Sequence, residues 1–222
     1  MHWLDDFRDV LETDVFGRRS SDVLFNMYRD AQPGLDVPDA AERRRANLLG
    51  YLGSYRERPV CLIVGEAPGP WGCRYSGVPI TDEAQLVDPT FPLTGTRTSI
   101  GDNPLREYSA GIFWRALQPA YPRFLFWNTV PWHPHKSGAP LSIRTPTKGE
   151  VREGTAILAR LCEVVRPAEV LALGRKAEGA LRAIGLNATY VRHPSQGGAR
   201  LFTESMRSRV QSWLSPNPNG HG

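Results

Sequence analysis

Val60-Cys61-Leu62-Ile63-Val64 is an unbroken apolar run, stopped by Gly65 and followed by Glu66-Ala67-Pro68-Gly69. Continuous rather than alternating apolarity marks a strand buried on both faces, as in a parallel sheet covered by helices. Three further strands follow: Phe124-Leu125-Phe126-Trp127; Glu169-Val170-Leu171-Ala172-Leu173, ended by Gly174; and Thr189-Tyr190-Val191-Arg192. Helical patterns separate them. The spacing predicts helices over 3–16, 40–53, 107–118, 175–184 (ended by Gly185) and 203–214. A further helix opens at Thr147, which stands three residues before Glu150 in the capping-box pattern. In helix 40–53, Leu48, Leu49 and Leu52 share one side, and Arg43, Arg44 and Arg45 are expected to be largely solvated. Strands alternating with helices predict an α/β fold: three α/β/α layers around a central four-stranded parallel sheet with right-handed connections. Residues 1–214 are read as a single domain, and 215–222, ending PNPNGHG, as a disordered tail.

The composition agrees with this and narrows the function. The 222 residues are 41% hydrophobic and 23% charged, which suits a globular chain and argues against wholesale disorder. No apolar run is long enough to span a membrane, and the start of the chain lacks a signal-peptide pattern. Three cysteines (Cys61, Cys73 and Cys162) cannot form a disulfide framework or a four-cysteine metal or iron–sulfur site, and a cytoplasmic location is the simplest expectation. The 24 arginines against three lysines reflect base composition or phosphate contact, since arginine forks onto phosphate oxygens. Residues 165–210 hold eight bases and three acids, a balance that suits an anionic partner.

In such sheets ligands bind beyond the carboxyl ends of the strands. Three loops lie there: 65–80, 128–136 and 193–201. The first, GEAPGPWGCRYSGVPI, is neither a Walker loop nor a dinucleotide fingerprint, so nucleotide cofactors are poorly supported. Its glycines allow close backbone approach to a ligand, and Glu66 places a carboxylate directly after a buried strand. In the second, Asn128 can offer both a donor and an acceptor to a pyrimidine or amide edge. His133 and His135 with His193 lack the signature of a fourth ligand, so no metal or cofactor is expected. In the third, His193 follows a strand and Pro194 fixes the departing chain. The stretch 65–106 shows no clear period, and 86–106 has no assigned role.

These loops together resemble the uracil-DNA glycosylase superfamily. Gly65–Gly69 is similar to motif one of the iron–sulfur (family 4) branch. Pro70-Trp71-Gly72 through Ser76-Gly77-Val78-Pro79 is similar to the single-strand-selective monofunctional branch. Asn128 to Pro146 resembles the middle region of both, and His193-Pro194-Ser195 the second motif. The likeness spans about residues 60–201. Three positions depart from it. Ala67 stands where other branches place a water-positioning Asp or Asn, Ile80 where an aromatic stacks on the base, and the cluster cysteines are absent.

The resemblance implies a monofunctional enzyme that flips uracil out of DNA and hydrolyses its glycosidic bond for base excision repair, acting as a monomer. His193 would donate to the base O2, and Asn128 would read O4 and N3–H. Glu66 would hold water in place of Ala67. The backbone of Gly65, Ala67, Pro68 and Gly69 would contact the base, with Gly69 leaving room for 5-substituted uracils. Ile80 would adjoin the base, with Trp71 or Tyr75 as the replacement stacker. Lys136, Ser195, Gln196, Gly197, Gly198 and Arg200 would contact the DNA backbone, and Arg200 or Leu201 would wedge into the stack. No lysine other than Lys136 stands in these loops, which disfavours Schiff-base lyase chemistry. Two alternatives stay open: a glycosylase for hypoxanthine or xanthine, and a DNA-binding member without catalysis.

Overall fold

A computed structural model describes residues 2–215. Four parallel strands form the central sheet: β2 (Cys61–Gly65), β3 (Phe124–Asn128), β5 (Glu169–Leu173) and β6 (Thr189–Val191), in the order β3-β2-β5-β6. A second, two-stranded sheet that the sequence pattern does not signal pairs β1 (Leu24–Phe25) with β4 (His133–Pro134). Residues of each are buried, and their short length leaves no alternation to read.

The aromatic strand β3 shows how the layers form. Its side chains alternate between faces. Phe124 and Phe126 meet Phe113 of α5 (Tyr108–Leu117) edge-on at 5.7 and 5.3 Å between ring centroids. Trp127 meets Phe7 of α1 (Trp3–Val10) from the opposite face at 5.7 Å. Phe113 also stacks on Phe202 of α8 (Ala199–Leu214), so α5 and α8 cover one face together. On the other, α1 packs against α6 (Lys148–Val165). The expected α6 cap is present: Thr147 Oγ1 accepts from Glu150 N, and Thr147 N donates to Glu150 Oε2 at 2.7 Å.

Several elements depart from the sequence reading. The first helix is α-helical only to Val10 and continues as a π-helical turn, Leu11–Phe16. Two short helices, α3 (Cys73–Ser76) and α4 (Glu83–Leu86), lie within the stretch that showed no period. The last helix begins at Ala199, so Arg200 and Leu201 lie in its first turn. Helix α7 (Arg175–Ala183) and strand β6 each stop one residue early. The expected disordered tail lies outside the described residues beyond Ser215.

Arg44, expected to be solvated, is fully buried in α2 (Ala40–Gly53). Its guanidinium pairs with Asp36 at 2.8 Å, and Arg74 pairs with the same carboxylate. Arg44 also donates to the carbonyls of Met27, Asp30 and Tyr75. A buried charge requires such partners, and they come from segments distant in sequence. This cluster braces the first loop from behind, because Arg74 and Tyr75 belong to α3. Arg45 is partly covered, with its head 5.0 Å from the Phe16 ring centroid.

Candidate active site

The strand register sets the site. Gly65 lies directly beside Asn128, and Val64 beside Trp127, so β2 and β3 end level with one another. The pairing continues past their ends: Thr129 N donates to Gly65 O at 2.8 Å, and Val130 N to Glu66 O at 2.9 Å. Helix α6 closes on this junction because Gly154 has no side chain; a Cβ there would run into the Thr129 carbonyl. Strands β5 and β6 end nearby, with Gly174 N donating to Val191 O at 2.9 Å.

A cavity of about 380 Å3 opens over these strand ends. Its wall includes Glu66, Asn128 and His193, which stand at the ends of three different strands. Its volume falls within the ordinary range for small-molecule sites. Motif-one residues Gly65, Ala67, Pro68 and Gly69 line it, as do Ile80, Ser195 and Gln196.

The Asn128 amide is buried, and among the described residues nothing hydrogen-bonds to it. The amide faces the cavity without a protein partner among those residues, so its donor and acceptor are available to a ligand. Gly65 gives it room: a Cβ at 65 would lie 2.8 Å from Asn128 Oδ1 and 2.7 Å from Phe126 Cζ.

His193 is fixed as one tautomer. Ser195 N donates to His193 Nδ1 at 3.1 Å, and the Ser195 hydroxyl lies 2.8 Å from the same nitrogen. A nitrogen that accepts from a backbone N–H carries no proton, so the neutral ring holds its proton on Nε2. Burial and the neighbouring Arg192 push the ring down to about 4, which keeps it neutral at physiological pH. Nε2–H is left for the cavity. The loop that returns from His193 is tight: Gln196 and Gly197 have φ of 51° and 76°, and a Cβ at Gly198 would strike the His193 carbonyl.

Glu66 is half-buried and makes no ion pair or side-chain hydrogen bond among the described residues. Burial raises its carboxyl, and Lys176 opposes the rise. Ile80 holds φ of 51°, a left-handed conformation that a β-branched side chain adopts only under strain. Trp114 Nε1 secures it by donating to the Ile80 carbonyl at 3.1 Å and to Thr81 Oγ1 at 3.0 Å.

Two expected base contacts require correction. Trp71 is 45% exposed and does not line the cavity. Tyr75 is buried away from it, under the Arg74 guanidinium at 4.1 Å. The aromatic wall is Phe126, on the floor-side face of β3 beneath Gly65. Its sequence signal is its position two residues before Asn128, which period-two alternation places on the same face. A lysine from outside the three motif loops also lines the cavity: Lys176, in the first turn of α7. Arg144, Arg175 and Arg192 line it as well. Arg144 is held by Glu150 at 2.8 Å, and Arg175 by Glu178 at 2.8 Å.

Of the expected DNA contacts, Ser195 and Gln196 line the cavity. Lys136 is exposed in the turn after β4, away from the cavity wall. Gly197 and Gly198 shape the return loop. Arg200 pairs with Glu204 at 2.9 Å and lines a separate groove, while Leu201 is 49% exposed. His133 is structural: its Nδ1 is 2.8 Å from the Pro68 carbonyl and its Nε2 3.1 Å from that of Pro140, tying motif one to the second loop. Among the described residues, no group of three or more His, Cys, Asp or Glu gathers where a metal could sit.

The model of the uracil DNA glycosylase superfamily matches residues 52–220. The crystal structure of wild-type Pedobacter heparinus SMUG2 superposes with a TM-score of 0.66, at 14% identity, over 96% of this chain and 98% of that one. No curated protein matches. No helix among the described residues is long and apolar enough to cross a membrane.

Proposed function

Because the chain belongs to the uracil DNA glycosylase superfamily, we propose that it is a monofunctional DNA glycosylase that hydrolyses the N-glycosidic bond of flipped-out uracil. The observation that carries this reading is the convergence of Glu66, Asn128 and His193 on one cavity. The C1′–N1 bond breaks with its electron pair going to the base, whose negative charge spreads onto O2 and O4. His193 Nε2–H donates to O2, which lowers the energy of the leaving base more than that of the bound nucleotide. A neutral imidazole serves, since one N–H is sufficient.

Asn128 accepts from N3–H and donates to O4. Cytosine has no N3 proton and would leave the buried amide oxygen unpaired, so it is rejected. Phe126, with Ile80 beside it, supplies the face against which the ring stacks. Glu66 holds the water that attacks C1′ and takes up its proton, while its charge favours the oxocarbenium sugar. Water rather than an amine attacks, and an abasic site remains. Lys176 and Arg192 serve as phosphate contacts, together with Ser195 and the Gly197 amide, the Gly198 N–H being taken by the Ser195 carbonyl at 3.0 Å. The space beside Gly69, expected to admit 5-substituted uracils, is occupied by the Glu107 carboxyl, so a 5-substituent would have to meet that group.

The test is strand cleavage by alkali after incubation with a U·G oligonucleotide. Cleavage by the wild type that is lost in His193→Ala and Asn128→Ala supports the reading. Tight DNA binding without base release would replace it with a binding role. Release of hypoxanthine or xanthine in preference to uracil would reassign the substrate. Borohydride trapping of a covalent adduct would overturn monofunctional chemistry and point to Lys176.

A further inference from the structure

Glu107 is the carboxylate of the cavity wall that the mechanism above leaves unused. It stands at the N-terminus of α5 and, alone among the described residues, lines both the candidate active site and a groove of about 790 Å3 between α5 and α8. Two glycines of the first loop make room for it: a Cβ at either Gly69 or Gly72 would run into its carboxyl. The side left open by Gly69 is therefore not empty, because a carboxyl from a distant helix fills it.

That carboxyl has no protein partner among the described residues. Among the described residues no donor hydrogen-bonds to it and no cation pairs with it, although its own N–H donates to Asp82 Oδ2 at 2.8 Å. Around it stand the Cys73 thiol, raised by burial and by Glu107 itself, the Asp82 carboxyl, also raised by burial, and Arg106. The groove side carries Arg115, Arg207 and the Arg200–Glu204 pair. The cavity side carries Glu66, Lys176, Arg192 and His193, with Arg144 and Arg175 engaged by Glu150 and Glu178. Burial first, and then Asp82, push Glu107 up to about 7.

We propose that Glu107 is a specificity-determining residue of this cavity: its protonated carboxyl donates to the oxo group that borders the base edge facing Gly69 and Gly72 (O4 of uracil, through the lone pair that Asn128 leaves free), and its ionised form opposes release of that base. The inference rests on the glycosylase reading. The departing base takes the electron pair of the broken bond. A neutral acid beside it stabilises that charge, and a carboxylate repels it. The class of substrate selected is a nucleobase with an oxo acceptor on this edge.

The test is the pH dependence of single-turnover base release, from pH 5.5 to 9, by the wild type and Glu107→Gln. The panel is oligonucleotides carrying uracil, 5-hydroxymethyluracil, hypoxanthine or xanthine, with DNA affinity measured alongside. The amide keeps a donor and cannot ionise. The expected wild-type rate falls more than tenfold between pH 7 and 8.5 while affinity changes little, and Glu107→Gln stays level over that window. An equal fall in Glu107→Gln, or a level wild-type profile, overturns the proposal and leaves the glycosylase reading standing. Release of no base from any substrate by the wild type overturns the glycosylase reading and this proposal together.

Discussion

Gly65→Ala adds one methyl group at the junction on which the site depends. Its Cβ would lie 2.7 Å from Phe126 Cζ and 2.8 Å from Asn128 Oδ1. Neither neighbour yields freely. Phe126 is buried and held edge-on against Phe113 at 5.3 Å, and Asn128 sits in a strand paired with Gly65 itself. Overpacking of this kind costs about 1–3 kcal/mol. For a domain of this size that lowers Tm by roughly 3–10 °C. Activity should suffer more, because the methyl displaces both the base-reading amide and the stacking ring, and a shift of about 1 Å costs on the order of 100-fold in rate. The assay is single-turnover uracil release at a temperature where circular dichroism shows the variant folded. Gly50→Ala is the control: it lies within α2, and nothing stands within 4 Å of its added Cβ. It should leave the rate unchanged and stabilise by about 0.5–1 kcal/mol, since alanine costs less backbone entropy in a helix. A Gly65→Ala protein with near-wild-type rate and Tm would refute the assigned packing of Asn128 and Phe126.

Other expectations follow from the buried charges and the cavity rim. Asp36→Asn leaves Arg44 and Arg74 buried without a counter-charge and should destabilise by about 3–5 kcal/mol, read as a fall in urea midpoint. His133, pushed down to about 4 chiefly by burial, takes up its proton less readily than the unfolded chain does, so its contribution to stability is lost as pH falls from about 6.5 toward 4. Denaturation midpoints should therefore drop over that window, and the drop should shrink in His133→Asn. Glu107 acts in the opposite sense. Its raised carboxyl contributes stability that is present below about 4.5 and lost as pH rises through about 7, so Glu107→Gln should gain stability relative to wild type at pH 8. Lys176→Ala and Arg192→Ala should each lower the slope of log affinity against log salt by about one, with base release from saturated complex retained if these groups contact phosphate alone.

The identity of the fold was readable because its evidence is local. An apolar run such as 60–64 can be satisfied only between two covering layers, and residues that follow such strands must emerge at one edge. That placed Glu66, Asn128 and His193 in a common neighbourhood before any coordinates. The tautomer of His193 was nearly legible too, since Ser195 is close in sequence. The tertiary structure alone decided everything that depends on which distant segments meet. Arg44 reads as a solvated helix residue until Asp36 and Arg74 fold against it. Trp71 and Tyr75 lie in the right loop, yet Trp71 faces solvent, Tyr75 packs against Arg74 within α3, and the aromatic wall comes from Phe126 on a neighbouring strand. Lys176 and Glu107 reach the cavity from helix starts remote from all three motifs. Periodicity reports which face of an element is covered; it carries no information about what covers it, because that contact is made across long sequence separations and is fixed only when the layers pack.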